Sequence, residues 1–197
     1  MLIKIGKLVV ENNEVFVGDP CYFGEGGTPH MVENFKLPNG VYNTYVEKSL
    51  KGDSKGHIME LFIVNESISN LDYLYEDTQG GVGVDSGQMG IFTHEDTKVS
   101  LQDLQDSLNK EFPYEDWKRN FTDTDTETDK FYKVCCNHTL SKDHFGNIGT
   151  IGVVSSSGFG DGFYRTYLLK EVDTDNVFGV GITFIESQET LELMKNL

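Results

Sequence analysis

Hydrophobic and polar positions alternate most regularly near the C-terminal end of the chain, between Ile148 and Ile185. Phe178, Val180, Ile182 and Phe184 fall on one face of an extended segment, and Gly179, Gly181 and Thr183 on the other. That period of two marks a half-buried strand, and its second face is nearly bare of side chains. The turn-forming run Val172-Asp173-Thr174-Asp175-Asn176 precedes it, so Tyr164–Leu169 is predicted to pair antiparallel with Val177–Ile185. Upstream, Gly158, Gly160 and Gly162 crowd around Asp161, where a turn with positive φ forms without a Cβ penalty. The stretch therefore reads as three strands joined by two turns.

The same reading organises the rest of the chain. Leu2–Val10 and Glu14–Val17 are strands joined by Glu11-Asn12-Asn13, and the second ends at Gly18-Asp19-Pro20-Cys21-Tyr22-Phe23. Pro20 keeps Asp19 out of the helical region and holds it extended. Gly24-Glu25-Gly26-Gly27 is a flexible loop. Asn39-Gly40 opens a strand through Val46, and Lys51–Gly56 turns it into His57–Val64, whose apolar residues on both faces predict cover on both sides. The glycines of Gly80–Phe92 weaken any regular strand there. A helix is predicted from Ser100, with Leu101, Leu104 and Leu108 on one face. Pro113 ends it, and a further helical turn carries Tyr114, Trp117 and Phe121 as a core-facing stripe. Thr122–Asp129 reads TDTDTETD and is expected to be a mobile surface loop; Phe131–Cys136 resumes a strand and His138–Gly146 is loop. Ser187-Gln188-Glu189 opens a closing helix bearing Leu193 and Leu197. The expected architecture is one α+β domain over residues 1–197, mainly antiparallel, a two-layer sandwich or partly open barrel with one internal and one C-terminal helix.

Charge narrows the function classes. With 16 basic and 32 acidic residues among 197, the formal net charge is −16. Such a surface repels phosphates, so direct nucleic-acid binding is disfavoured; it serves solubility or docks on a basic host protein, in the extreme by imitating DNA. Cys21, Cys135 and Cys136 are odd in number and two are adjacent, which fits free thiols in a reducing compartment. Lys4 and Lys7 interrupt the first apolar run, and no segment approaches the roughly 20 apolar residues that span a bilayer. The expected location is the cytoplasm, without membrane contact.

No catalytic string is present. Val84-Asp85-Ser86-Gly87-Gln88 lacks the first glycine of a nucleophile elbow, and Gly158–Gly162 has neither dinucleotide nor P-loop spacing. What recurs is an Asp in a tight Gly or Pro setting at a strand end: Asp19, Asp85 and Asp161. Should those ends meet, the carboxylates with Ser86, Ser156, Ser157 and Tyr164 form a polar pocket able to orient hydroxyl or amine groups, or to hold a cation; otherwise each Asp bonds its own turn. Asp123, Asp125 and Glu127 have the start of calcium-loop spacing, but Thr128 and Val134 stand where that loop needs Gly and Glu. Cys135, Cys136, His138 and His144 lack zinc-finger spacing, and adjacent cysteines on a strand point to opposite faces. Neither a metal nor a cofactor is expected.

The strings GDPCYF at Gly18–Phe23, GVDSGQMGIF at Gly83–Phe92 and SSGFGDGFY at Ser156–Tyr164 resemble a family of uncharacterised small proteins of bacteria and their phages, a domain of unknown function. The resemblance adds Cys21 to the candidate binding residues Asp19, Asp85, Ser86, Ser156, Ser157, Asp161 and Tyr164, and implies a phage origin without an established activity. The expected function is thus a non-enzymatic binding protein, a phage accessory factor that binds a host factor or sequesters a small polar ligand. Alternatives are a hydrolase with Asp85 or Asp161 as base beside Ser86, and a structural or virion component.

Overall fold

The computed structural model describes residues 1–23, 30–69, 74–94, 124–172 and 174–186. In chain order these form β1 (Leu2–Val10), β2 (Glu14–Gly18), β3 (Val32–Lys36), β4 (Gly40–Lys48), β5 (Ile58–Asn65), β6 (Leu74–Val84) and β7 (Gln88–Phe92). Helix α1 (Glu127–Thr139) follows, then β8 (Phe145–Ile148), β9 (Gly152–Ser156), β10 (Gly162–Glu171) and β11 (Val177–Thr183). The strands make two open antiparallel sheets, sheet 1 in the order β1-β4-β5-β11-β10-β6 and sheet 2 in the order β3-β2-β7-β9-β8. The two-layer alternative holds, and neither sheet closes into a barrel.

Alternation along the strands assigns the layers. Val15 and Val17 of β2, Met89 and Ile91 of β7, and Val153 of β9 face Leu61, Ile63, Val180 and Ile182 of sheet 1 in the main core. Their neighbours Phe16, Phe92 and Val154 point the other way and pack with Phe23 against Phe131, Val134 and Cys135 of α1. A third cluster of Phe62, Val64, Tyr167 and Leu169 lies on the outer face of sheet 1. Each side chain of this size removed from water contributes about 1.5–3 kcal/mol.

Several predicted elements are in place. β10 pairs with β11 through Tyr167↔Gly181, β4 pairs with β5, and β5 is buried on both faces. Asp19 is extended at φ −69°, ψ 121°. Ile58 shares the main core with Leu61 because a bulge opposite Glu47/Lys48 shifts the alternation by one.

Other expectations are corrected. β9 does not pair with β10: it lies in sheet 2, so Gly158–Gly162 is a crossover between sheets and not a hairpin, though Gly158 and Gly160 do carry positive φ. β1 and β2 likewise diverge into different sheets. The bare face of β11 is filled, since the ring of Tyr167 lies where a Cβ on Gly181 would sit. Gly80, Gly81 and Gly83 do not interrupt β6, which pairs with β10 along its length around one bulge.

The largest correction is α1, where a loop and a strand were expected. Thr126 caps it: its side chain accepts from Asp129 N at 3.1 Å while Asp129 Oδ2 accepts from Thr126 N at 2.8 Å, a complete capping box. Phe131, Val134, Cys135 and His138, spaced i, i+3, i+4, i+7, form its buried face. Residue spacing of 3.6, not 2, therefore governs the segment, and β8 follows it unpredicted. The helices expected from Ser100, with the stripe Tyr114, Trp117 and Phe121, and from Ser187, as well as the Gly24–Gly27 loop, lie outside the described residues. None of the described helices is long and apolar enough to cross a membrane.

Candidate functional site

Two of the three Asp-bearing turns are stitched together. Pro20 starts a short 3-10 turn over Pro20–Tyr22 that Asp19 caps. This places the fully buried Asp19 carboxylate beneath the β6–β7 turn, Asp85-Ser86-Gly87, where Gly87 takes φ +68°. Asp19 Oδ1 accepts from Cys21 N at 3.0 Å and from Ser86 Oγ at 2.6 Å; Oδ2 accepts from Asp85 N and Ser86 N, both at 2.8 Å. Four donors occupy a carboxylate that has about four lone-pair sites, so its desolvation is compensated inside the protein and little capacity is left for a ligand. Asp19 is a clamp joining the end of β2 to the β6–β7 turn. Asp85 projects outward instead and accepts from Tyr22 Oη at 3.0 Å. That hydrogen bond is the main reason the Tyr22 phenol is raised above its usual range.

The third turn does not join them. Gly162 pairs with Val84, so Asp85 and Asp161 leave the same end of neighbouring strands, but Asp161 is exposed. Its loop is satisfied from within: Ser157 Oγ donates to Gly160 O at 2.8 Å, and Tyr164 Oη lies 3.0 Å from Ser157 O and 2.7 Å from Gly160 O. Tyr164 also stacks edge-on against Phe184, with ring centroids 5.2 Å apart. Asp161 is therefore not part of the clamp, and Ser157 and Tyr164 brace the crossover.

What the clamp does support is a cleft of about 300 Å³ between α1 and the edge of sheet 2, lined by Ser86, Gln88, Tyr132, Cys136, His144 and Ser156, among others. Gln88 stands opposite Ser156 in the β7–β9 ladder, and Ser86 lies two residues ahead of Gln88 in the β6–β7 turn. Tyr132, Cys136 and Thr139 follow at i, i+4, i+7 on one side of α1. Gln88 locks the helix to the sheet: Nε2 donates to Cys136 Sγ at 3.3 Å and Oε1 accepts from Thr139 Oγ1 at 2.9 Å. His144 stands in the left-handed region at φ +66°, and its Nδ1 lies 3.1 Å from Thr139 O. A carbonyl only accepts, so Nδ1 carries the hydrogen of this contact.

The cleft is electrically quiet. Among the described residues its lining holds no Asp, Glu, Lys or Arg. Burial, then the nearby Cys136 sulfur, pushes the Tyr132 phenol well above its usual range, and a hydrogen bond with Ser86 only partly offsets this. Behind Ser86, burial and then the Asp19 charge push the Cys21 thiol far up, so it stays protonated. The available chemistry is therefore hydroxyl, thiol and imidazole hydrogen bonding.

Of the eight residues expected to bind, Ser86 and Ser156 line this cleft, Asp19 and Cys21 stand behind it, and Asp85, Ser157, Asp161 and Tyr164 do not line it. The sequence reasoning missed Gln88, Tyr132, Cys136, Thr139 and His144 as a group. The capping box at Thr126 was the signal that would have put three of them on one helix. Cys135 turns into the core one position before Cys136. Asp125 pairs with Lys133 at 2.6 Å, and Glu127 with Lys130 at 2.8 Å. Among the described residues no three His, Cys, Asp or Glu gather to hold a metal ion.

No curated protein and no solved structure matches the chain. A family model described as a protein of unknown function, DUF4241, matches residues 54–180, which include β5–β10, α1 and most of the cleft. The match covers well over half of the 197 residues, and the chain belongs to that family.

Proposed function

We propose that the protein is a non-catalytic binding module whose cleft between α1 and sheet 2 takes a small, uncharged polar ligand. The observation that carries this reading is a lining of hydroxyl, thiol and imidazole groups around a bracket formed by Gln88, with no carboxylate, lysine or arginine among the described lining residues. Such a lining recognises a ligand by direction of hydrogen bonds and by shape. Hydrolysis is the weaker reading: Asp19 is consumed by four donors, the Cys21 thiol is protonated, and neither Asp85 nor Asp161 lines the cleft.

Ligand-detected NMR of the full chain against a set of small polyols, amides and nucleobases tests the reading. The expected result is that at least one neutral compound raises the melting temperature, and that Tyr132→Phe and Ser156→Ala weaken its binding by tenfold or more. Absence of binding throughout the set, together with no small molecule carried by the purified protein in native mass spectrometry, overturns it.

The net charge of −16 supports a second partner class, a basic host protein met on the surface and not in the cleft. An accessory factor of that kind is what the resemblance of the GDPCYF, GVDSG and SSGFGDGFY strings to bacterial and phage proteins implies, and thiols outside any disulfide fit a reducing cytoplasm. A host-lysate pull-down at low salt that recovers a basic protein, released by added salt, supports this; recovery of none counts against it.

A further inference from the structure

Away from the cleft, the outer face of sheet 1 carries two adjacent cross-strand rows. In the first, Glu47 of β4 stands opposite Glu60 of β5, Glu60 opposite Thr183 of β11, and Thr183 opposite Arg165 of β10. In the second, Tyr45 stands opposite Phe62, Phe62 opposite Gly181, and Gly181 opposite Tyr167. Both rows point outward, since the intervening Val46, Leu61 and Ile182 lie in the main core.

Two features of the first row stand out, beside the N-terminal ammonium of Met1, which lies 3.6 Å from Glu47 Oε1. Glu47 and Glu60 are directly opposed like charges, an arrangement that destabilises an antiparallel pair. Between Glu60 and Arg165, Thr183 is 7% exposed, and its Oγ1 is buried without a hydrogen-bond partner. Arg165 holds Glu186 at 3.1 Å at the far end of the row, and Tyr167 Oη donates to Glu60 Oε2 at 3.4 Å. Beside the acids, Tyr45 and Phe62 stack at 5.2 Å with their planes 18° apart.

We propose that this row binds an organic ammonium group, with Glu47, Glu60 and Thr183 Oγ1 as its three acceptors and the Tyr45–Phe62 pair against the adjoining carbon chain. A primary ammonium has three N–H donors and matches three acceptors; it also sits well beside aromatic rings. A metal ion suits the row less, because no three metal-ligating side chains gather among the described residues.

The acid–base behaviour of the row agrees. Burial, then the charges of Glu76 and Glu47, push Glu60 up to about 7, while the Tyr167 hydrogen bond and Arg165 act in the opposite direction. An ammonium ion favours the carboxylate form, so binding below pH 7 releases a proton and weakens as the pH falls.

The test is calorimetric titration of 1,4-diaminobutane into the full chain at physiological ionic strength, at pH 8 and pH 6, in buffers of different ionisation enthalpy. Saturable one-site binding at pH 8 is expected, with net proton release at pH 6 and no binding of 1,4-butanediol. Thr183→Val and Glu60→Gln should each weaken binding tenfold or more. Because a chain of net charge −16 attracts cations diffusely, the exposed Glu11→Gln serves as the control: it changes the charge as Glu60→Gln does and should leave the affinity unchanged. Non-saturating binding, equal losses in the Glu11 and Glu60 variants, an unaffected Thr183→Val, or no heat at millimolar diamine each overturns the proposal.

Discussion

Asp19 and Asp161 have the same local grammar, an aspartate flanked by glycine or proline at the end of a strand, and opposite fates. Asp19 is fully buried and receives four hydrogen bonds from residues 21, 85 and 86. Asp161 is exposed, and the loop around it is closed by Ser157 and Tyr164 without help from its carboxylate. The residue's own turn does not decide the outcome. What decides it is whether a segment remote in sequence brings N–H groups to it, because a buried carboxylate persists only where donors replace the water it has lost. The β6–β7 turn does this for Asp19.

The sharpest way to break that comparison is to remove the clamp. Asp19→Ala leaves the N–H groups of Cys21, Asp85 and Ser86 buried or half-buried without their acceptor, and is expected to cost about 3–5 kcal/mol. Urea denaturation measures it, with the midpoint shifting and the slope unchanged. A loss below about 1 kcal/mol would mean that water replaces the carboxylate and that the clamp is dispensable.

Glu60 extends the comparison to a half-buried carboxylate with fewer donors among the described residues. It accepts from Tyr167 Oη at 3.4 Å, and its pKa rises from 4.5 to about 7. Between those two values the folded protein keeps a proton that the unfolded chain has lost. The unfolded state then binds fewer protons, so stability is full below pH 4.5 and falls as the pH climbs towards 7. At 1.36 kcal/mol per unit the loss is about 3 kcal/mol above neutrality. Glu60→Gln should flatten that part of the stability profile and make the protein more stable than wild type at pH 8. Parallel profiles for the two proteins would show that Glu60 is solvated.

The capping box is a third case, a carboxylate at the surface with two local donors. Thr126→Ala removes the cap of α1 and is expected to cost about 1 kcal/mol. Because Cys136 reaches the cleft from the last turns of that helix, its reaction with a thiol reagent should accelerate by a similar factor if the helix opens locally. An unchanged rate would show that Gln88 and the buried face alone hold α1 in place.

The strands with the clearest apolar runs were legible: β4, β5, β10 and β11 stand where the pattern puts them, because each buries apolar side chains in the main core and β5 is covered on its second face as well. Partnering was legible only in part: the β4–β5 and β10–β11 hairpins are in place, but nothing local distinguishes a crossover such as Gly158–Gly162 from a hairpin turn. The segment Phe131–Cys136 misled for a different reason. Two aromatics and a β-branched residue in a short run suggest a strand, whereas the deciding information lay upstream in the Thr126–Asp129 reciprocal bond and downstream at His138. With α1 read as a strand, Tyr132, Cys136 and Thr139 could not share a face, and the cleft disappeared from view. Ser86 and Ser156 were found because each sits in a motif that stands out on its own.

The smallest expected effect is also the one that isolates the rule. Asp161→Ala should change stability by less than about 0.5 kcal/mol, because the residue is exposed and Tyr164 and Ser157 hold the crossover through backbone carbonyls. Neighbouring Tyr164 gives the informative readout. Burial raises its phenol first, and the Asp161 charge adds to that rise, so the alanine variant should lower the Tyr164 titration midpoint in a spectrophotometric titration while leaving the urea midpoint unmoved. A stability loss comparable to that of Asp19→Ala would mean that Asp161 binds backbone donors in solution, and the distinction between the two turns would then rest on burial alone.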